Sequence, residues 1–247
     1  MSRARERIAA VRRDAETLPS PNIWQWPEIY EIENRAQDVD GAIWRVLAEV
    51  AGWRGRDVVD IGCGSGFHLP RFAADARRVT GVEPHEPLVA RAKARVAELP
   101  SVTVLAGSAQ RLPLADASVD VAHARTAYFF GPGCEPGLAE VERVLRPGGV
   151  LAIVDLDVRH HPYGDWMRAD LPEYEPVEVD RFFARQGFDC RPVVTRWRFA
   201  DRQSLESVLR IEFSSRVADR AVRTVTGLEF PVGYRVLTRR KPAGLII

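Results

Sequence analysis

The chain has 247 residues, of which 46% are hydrophobic and 28% charged, as in an ordinary globular protein with one large or two small domains. Its 35 basic and 34 acidic residues give a net charge of +1, which argues against a dominant electrostatic role on nucleic acid or an anionic membrane. Three scattered cysteines indicate neither a disulfide framework nor a zinc site, and we expect no metal. No apolar run approaches the ~20 residues of a membrane span, and the basic start lacks the apolar core of a signal peptide, so we expect a cytoplasmic protein.

The first 55 residues are predicted to be helical. Residues 2–17 read as a charged helix, and three prolines in residues 19–27 predict a stiff, shaped loop after it. Apolar residues at three- and four-residue spacing across 29–50 then predict a second helical stretch with a break near Asp40 and Gly41.

From residue 57 the pattern changes to alternating strands and helices. The strands are short, Val-rich and continuous, which is typical of parallel strands buried on both faces, so the alternation predicts a doubly wound α/β sheet. The predicted strands are 57–61, 78–82, 102–105, 119–124 and 149–155, and the predicted helices are 67–76, 86–98 and 135–145.

The last ninety residues carry a different pattern. Helices at 177–187 and 202–218 alternate with strands at 189–199 and 229–240. Two strands this late in the chain, separated by a helical insertion, are expected to pair antiparallel at the edge of the sheet.

A glycine-rich turn follows the first predicted strand. Gly62, Gly64 and Gly66 alternate with other residues, whereas a dinucleotide fold uses G-x-G-x-x-G. Glu83 ends the second predicted strand and can accept two hydrogen bonds from a ribose diol, a feature shared with NAD-binding proteins. Asp60 places a negative charge just before the turn, which a cationic ligand such as a sulfonium tolerates better than a pyrophosphate does. The spacing therefore favours a nucleotide-like ligand other than NAD.

Four motifs carry a resemblance to a known family: "VVDIGCGSG", "GVEP", "GSAQRLPLADASVDVAHA" and "EVERVLRPGGVLAIVD". Their order and spacing resemble those of class I S-adenosylmethionine-dependent methyltransferases, most closely the small-molecule "type 11" group. The resemblance covers about residues 56–157, and the C-terminal strand pair also fits. It implies a Rossmann-like, doubly wound seven-stranded sheet with one antiparallel strand and helices on both faces. It also implies an N-terminal helical lid (1–55) packed on a methyltransferase domain (56–247), whose part 158–247 adds a substrate wall and edge strands, so the whole is effectively one domain.

The resemblance also implies the residues that bind S-adenosylmethionine and its product S-adenosylhomocysteine. The glycine turn with Asp60 would wrap the methionine part, Glu83 would hold the ribose hydroxyls, and residues 108–110 would lie along the adenine. Ser108 stands where the family usually has an acid. Arg125 would lie near the amino-acid end of the cofactor. The full predicted set is Asp60, Gly62, Cys63, Gly64, Gly66, His68, Glu83, Pro84, Ser108, Ala109, Gln110 and Arg125.

The predicted catalytic residues depart from the family pattern. Many type 11 members carry a histidine pair after the fourth strand, where this chain has Phe129 and Phe130. His160 and His161 follow the fifth strand, whose carboxyl end faces the ligand crevice of such a sheet, and they are candidate bases together with Tyr128. A base is not required if the acceptor is held in line with an activated methyl carbon.

Aromatic residues predict the acceptor site. The expected substrate-binding residues are Trp24, Trp26, Tyr30, Phe129, Phe130 and Trp166. They indicate a small, apolar or aromatic metabolite, methylated on O, N or C. The absence of an (Asn/Asp)-Pro-Pro-(Tyr/Phe) sequence also disfavours nucleic acid, and we expect a monomer or homodimer without a membrane partner.

Three alternatives stay open from the sequence. The same fold could bind the cofactor and catalyse another reaction, such as a cyclisation. The chain could also be a non-catalytic cofactor-binding subunit that works through a partner. A nicotinamide dehydrogenase is the third reading, and the glycine spacing argues against it.

Overall fold

A computed structural model of the protein describes residues 19–244, so the predicted helix at 2–17 lies outside the described residues. The helices are α1 (Pro21–Gln25), α2 (Pro27–Ala36), α3 (Ala42–Ala51), α4 (Leu69–Ala73), α5 (Glu86–Arg95), α6 (Glu135–Val144), α7 (Tyr163–Asp170), α8 (Pro176–Arg185), α9 (Arg202–Glu212) and α10 (Ser215–Thr224). The strands are β1 (Asp57–Ile61), β2 (Arg78–Glu83), β3 (Val102–Ala106), β4 (Val119–Arg125), β5 (Leu145–Leu156), β6 (Asp189–Arg198) and β7 (Glu229–Arg240).

The seven strands form one sheet in the order β3-β2-β1-β4-β5-β7-β6. The first five strands pair in parallel, and β7 runs antiparallel to both β5 and β6. The predicted fold, a doubly wound seven-stranded sheet with a single reversed strand, is therefore confirmed.

Two apolar layers cover the two faces of the sheet, because successive side chains of a strand point in opposite directions. Val58 of β1 belongs to the layer that contains Ile43 of α3, whereas Val59 belongs to the layer that contains Leu138 of α6 and Phe183 of α8. All five residues of β1 are buried, as the continuous apolar pattern predicts for a central parallel strand.

The N-terminal segment differs from the stiff loop predicted for residues 19–27. Pro21 and Pro27 each occupy the first turn of a helix, α1 and α2, where a missing N–H costs nothing and a fixed φ suits the helix. The predicted break in the next helical stretch is present, with Gly41 at φ 65°. There the Asp38 carboxylate accepts hydrogen bonds from the Ile43 N–H and the Thr195 hydroxyl.

The C-terminal part also differs in detail from the prediction. The single helix expected at 202–218 is divided into α9 and α10, because the Asp170 carboxylate accepts hydrogen bonds from the N–H and hydroxyl of Ser214. Helix α7 was not predicted. The late strands β6 and β7 pair antiparallel along the whole length of β6, as expected.

Candidate cofactor and acceptor site

A cleft opens at the carboxyl ends of β1, β2, β3 and β4. Its walls come from the loops that follow these four strands and from α1 and α2. In an open parallel sheet this edge is where ligands bind, at the point where the strand order reverses. That point lies between β1 and β4 in this sheet.

The glycine turn forms the floor of the cleft. Gly62 has φ 71° and Gly64 has φ 57°, a left-handed backbone that glycine adopts without steric cost. A Cβ on Gly62 would lie 2.6 Å from Cβ of Ala127, and one on Gly64 would lie 2.8 Å from Cδ1 of Ile23. The turn is therefore packed against both the loop after β4 and α1, with no room for a side chain at Gly62 or Gly64.

Glu83 ends β2 beside this turn. Its side chain is buried, and its two carboxylate oxygens accept hydrogen bonds from the Gly64 and His85 backbone N–H groups, each at 3.0 Å. Burial raises the pKa of Glu83 to about 7, against the opposing effect of these two N–H groups. Each oxygen keeps a lone pair, so the carboxylate can accept further hydrogen bonds from ligand hydroxyls.

Most of the predicted cofactor residues line the cleft. The lining residues among them are Gly62, Cys63, Gly64, His68, Glu83, Pro84, Ser108, Ala109, Gln110 and Arg125. Two of the predicted residues do not line it. Asp60 is buried and lies 2.7 Å from His123 Nδ1 through its Oδ1. Gly66 faces α5, where a Cβ would meet Ala92 at 3.1 Å.

Arg125 is a buried cation at the end of β4. Its side chain donates a hydrogen bond to Gln37 Oε1 at 2.8 Å, and its guanidinium lies 5.5 Å from the ring centroid of Tyr234. Its Nε is buried without a hydrogen-bond partner among the residues that the structure describes. An orphaned buried donor on a cleft wall is a place where a ligand acceptor would be stabilised.

Of the predicted catalytic residues, only Tyr128 lines the cleft. Burial raises its pKa to about 12, so its hydroxyl keeps its proton at neutral pH. His160 packs on β7, because its Cβ lies 2.4 Å from the position that a Cβ on Gly233 would occupy. The exposed His161 pairs with Asp165. The structure thus places both histidines outside the cleft wall.

Of the six predicted substrate-binding residues, three line the cleft and three do not. Trp24, Tyr30 and Phe130 line the cleft, while Trp26, Phe129 and Trp166 do not. Trp166 is buried in a cluster of aromatic rings with Tyr163 and Phe230. The side chain of Phe129 is also buried in the core, on the face that α6 and α8 cover.

Helix α2 contributes a polar wall of which the sequence predicted Tyr30 but neither Asn34 nor Gln37. Tyr30, Asn34 and Gln37 all line the cleft, and their spacing of four and three residues places them on one face of a helix. This spacing is visible in the sequence. The sequence does not show that this helix face lines the cleft, because the same face could equally meet solvent.

Helices α1 and α2 are held against α5 and the loop before it by specific contacts. The Trp24 ring stacks on His85 with centroids 4.4 Å apart and planes 11° from parallel. Glu28 pairs with Arg91 and Glu31 with Arg95, each at 2.6 Å. Helix α1 therefore covers the turn after β2, next to Glu83.

His68 stands at the cleft wall as a neutral imidazole. Burial lowers its pKa well below the usual value, and the nearby Arg125 lowers it further. Of the histidines in residues 19–244, it is the one that lines the cleft. Within the same range, no group of three or more His, Cys, Asp or Glu side chains is arranged to hold a metal ion.

Comparison with known proteins agrees with this geometry. The profile of the "Methyltransferase domain" family matches residues 59–153. An uncharacterized methyltransferase from Synechocystis is 30% identical over 151 residues, which are 58% of this chain and 68% of the relative. A probable S-adenosylmethionine-dependent methyltransferase from Mycolicibacterium smegmatis is 40% identical over 99 residues, which are 40% of this chain and 37% of the relative.

A solved structure shares the fold. A putative methyltransferase from Bacillus halodurans superimposes with a TM-score of 0.60 and 17% identity, over 80% of this chain and 98% of that one. The chain belongs to the class I S-adenosylmethionine-dependent methyltransferase family. It spans between 37% and 47% of the length of the first four curated relatives that it matches. None of the helices in residues 19–244 has the length and apolar character of a transmembrane segment.

Proposed function

We propose that the protein transfers a methyl group from S-adenosylmethionine to a small molecule bound in the same cleft. The observation that carries this proposal is the position of Glu83. Its buried carboxylate shares a hydrogen bond with the glycine turn inside a cleft that α1 and α2 wall off.

The residues of the cleft fit this cofactor. The Glu83 carboxylate suits a ribose diol, and residues 108–110 line the cleft after β3. The negative charges of Asp60 and Glu83 flank the turn, which favours a sulfonium ligand over a pyrophosphate. When bound, S-adenosylmethionine supplies a methyl group on a carbon that is already activated for displacement.

The protein's own contribution is positioning rather than proton transfer by a strong base. The Tyr128 hydroxyl stays protonated, and His68 is a neutral imidazole whose low pKa makes it a weak base. Holding the acceptor in line with the reacting carbon supplies much of the acceleration in such a displacement. The proposal therefore favours acceptors that are nucleophilic by themselves, such as a phenolate, an amine or a carbanion.

The walls of the cleft support a small acceptor with an apolar or aromatic part. Trp24, Phe67 and Phe130 give flat apolar surfaces, and Tyr30 adds a ring with a hydroxyl. Aromatic walls with a few polar groups are typical of small-molecule sites.

The test uses the full chain and cofactor with a radiolabelled methyl group. Mixtures of phenols, amines, carboxylic acids and terpenoids are incubated with the protein, and total tRNA is included as a separate arm. We expect label in a small-molecule product that gains the mass of one methyl group, with the Glu83→Ala variant showing strongly reduced transfer. Label in tRNA only, or cofactor binding without any transfer, would contradict the proposal.

A further inference from the structure

Arg125 places a guanidinium in the cleft that forms no ion pair with a carboxylate of residues 19–244. The residue is only 8% exposed. Its contacts are the side-chain oxygen of Gln37 and the Tyr234 side chain. A buried charge without a partner is costly, so a site that keeps one is suited to a ligand that brings the opposite charge.

The Gln37 amide orients the Arg125 side chain. Gln37 accepts from the guanidinium with Oε1 and donates with Nε2 to Glu33 Oε1, both at 2.8 Å. Glu33 is 3% exposed, and the Gln37 amide bridges its carboxyl group and the Arg125 guanidinium. This arrangement fixes the Gln37 amide and leaves the Arg125 Nε donor unused.

The position of Arg125 places it away from the nucleoside end of the cleft. Tyr234 lies on β7, which the sheet order separates from β4 by β5. Glu83 ends β2 and Ser108 follows β3, and both strands lie on the other side of β1. Neighbouring strands are about 4.8 Å apart, so the guanidinium extends towards the opposite half of the sheet from the ribose-binding carboxylate.

A second polar group borders the same part of the cleft. Asn34 lies one helical turn before Gln37 and lines the cleft, and its carboxamide makes no hydrogen bond to another described residue. Arginine recognises carboxylates by paired, charge-assisted hydrogen bonds, and a neighbouring amide donor adds to them.

We propose that the acceptor carries a carboxylate next to its aromatic or apolar body, and that Arg125, with Asn34, binds this carboxylate. The inference rests on the proposed function and narrows its substrate class. Arg125 is then a specificity-determining residue for the acceptor, rather than a contact of the amino-acid end of the cofactor as the family resemblance implies.

The experiment compares carboxylates with their uncharged carboxamides. Benzoate, 4-hydroxybenzoate and indole-3-acetate, each paired with its primary amide, are titrated by calorimetry into full-length protein saturated with S-adenosylhomocysteine. We expect at least one carboxylate to bind about tenfold or more tightly than its amide. Arg125→Gln should remove this preference and Asn34→Ala should reduce it severalfold, and both variants should weaken the binding of the carboxylate more than they weaken the binding of S-adenosylhomocysteine.

A matched control separates this site from general electrostatics. Arg71 is exposed on α4, over the Trp44 ring and outside the cleft, so Arg71→Gln should leave the carboxylate preference unchanged. Because Arg125→Gln removes a buried charge, its folding is checked by circular dichroism, and Asn34→Ala provides an independent variant on the surface of the cleft.

Three results would overturn the inference. Carboxylates and amides could bind with equal affinity, or none of the carboxylates could show binding. Alternatively, Arg125→Gln could weaken the binding of S-adenosylhomocysteine as much as the binding of the carboxylate. The last result would assign Arg125 to the amino-acid end of the cofactor instead. Failure of the proposed function is distinguished beforehand, since it would appear as no binding of S-adenosylhomocysteine to the unmodified protein.

Discussion

The two ends of the cleft are built in different ways. At the end that we propose for the nucleoside, the glycine turn and the loops after β2 and β3 form walls largely from backbone, with Glu83 as the main ionisable group. At the end that we propose for the acceptor, the walls are side chains from separate parts of the chain: Tyr30 and Asn34 from α2, Arg125 from β4, and Phe130 from the loop after it.

This difference explains which end of the site is constrained. A backbone wall requires glycines with left-handed φ angles and close packing, so almost any side chain there disrupts it. A wall made of side chains changes in shape and polarity with each substitution, while the fold is retained. We therefore expect the largest losses from changes at the nucleoside end and changes of specificity at the acceptor end.

The largest effect is expected for Gly62→Ala. The new Cβ would lie 2.6 Å from Cβ of Ala127 on a backbone with φ 71°, so both strain and collision oppose it. We expect the affinity for S-adenosylmethionine to fall by about 100-fold or more, and the free energy of unfolding to fall by about 2–3 kcal/mol in urea titration.

Gly148→Ala is the control for Gly62→Ala. Gly148 has a similar φ of 79°, and a Cβ there meets nothing within 4 Å. Strain alone should cost about 1 kcal/mol of stability and leave cofactor affinity unchanged. Equal losses in both variants would contradict the packing argument for the glycine turn.

The next largest effect is expected for Glu83→Ala, which removes a charge-assisted acceptor. The affinity for S-adenosylmethionine should fall by about 1–3 kcal/mol, as measured by calorimetry. Glu86 is exposed three residues further on, and Glu86→Ala should bind normally. An unchanged dissociation constant for Glu83→Ala would remove this residue from the ribose site.

A smaller effect is expected from pH. Ligand hydroxyls favour the ionised Glu83 carboxylate, and its pKa of about 7 means that protonation competes with binding at mildly acid pH. Affinity should be constant above pH 8 and weaken below pH 7, by at most about tenfold per unit. Glu83→Gln should bind weakly and lose this pH dependence, and a wild-type affinity that is constant from pH 5.5 to 8 would contradict the assignment.

The smallest effect is expected for Trp24→Ala, which removes the ring stacked on His85. A stacked aromatic pair contributes about 0.5–1.5 kcal/mol, so cofactor affinity should fall by about threefold to tenfold. Trp26 does not line the cleft, and Trp26→Ala serves as the matched variant with normal affinity. If Trp26→Ala had the larger effect on binding, α1 would not act through Trp24.

The same contrast explains what the sequence could predict. The strands and Glu83 were predictable because they depend on local patterns: an apolar run, a turn and the residue that follows it. The separation of His160 and Trp166 from the cleft was not, because it depends on how the chain after β5 packs on β7. The place of Arg125 at the end of β4 was also predictable, but its contacts with Gln37 and Tyr234 were not, because these two residues are distant in sequence.

The account is tested most directly by calorimetric titration of the purified full chain with S-adenosylmethionine, S-adenosylhomocysteine and NAD in parallel at pH 8. We predict that the first two bind at one site and that NAD does not bind. Binding of NAD, or no binding of any of the three, would contradict the assignment of the cleft to S-adenosylmethionine.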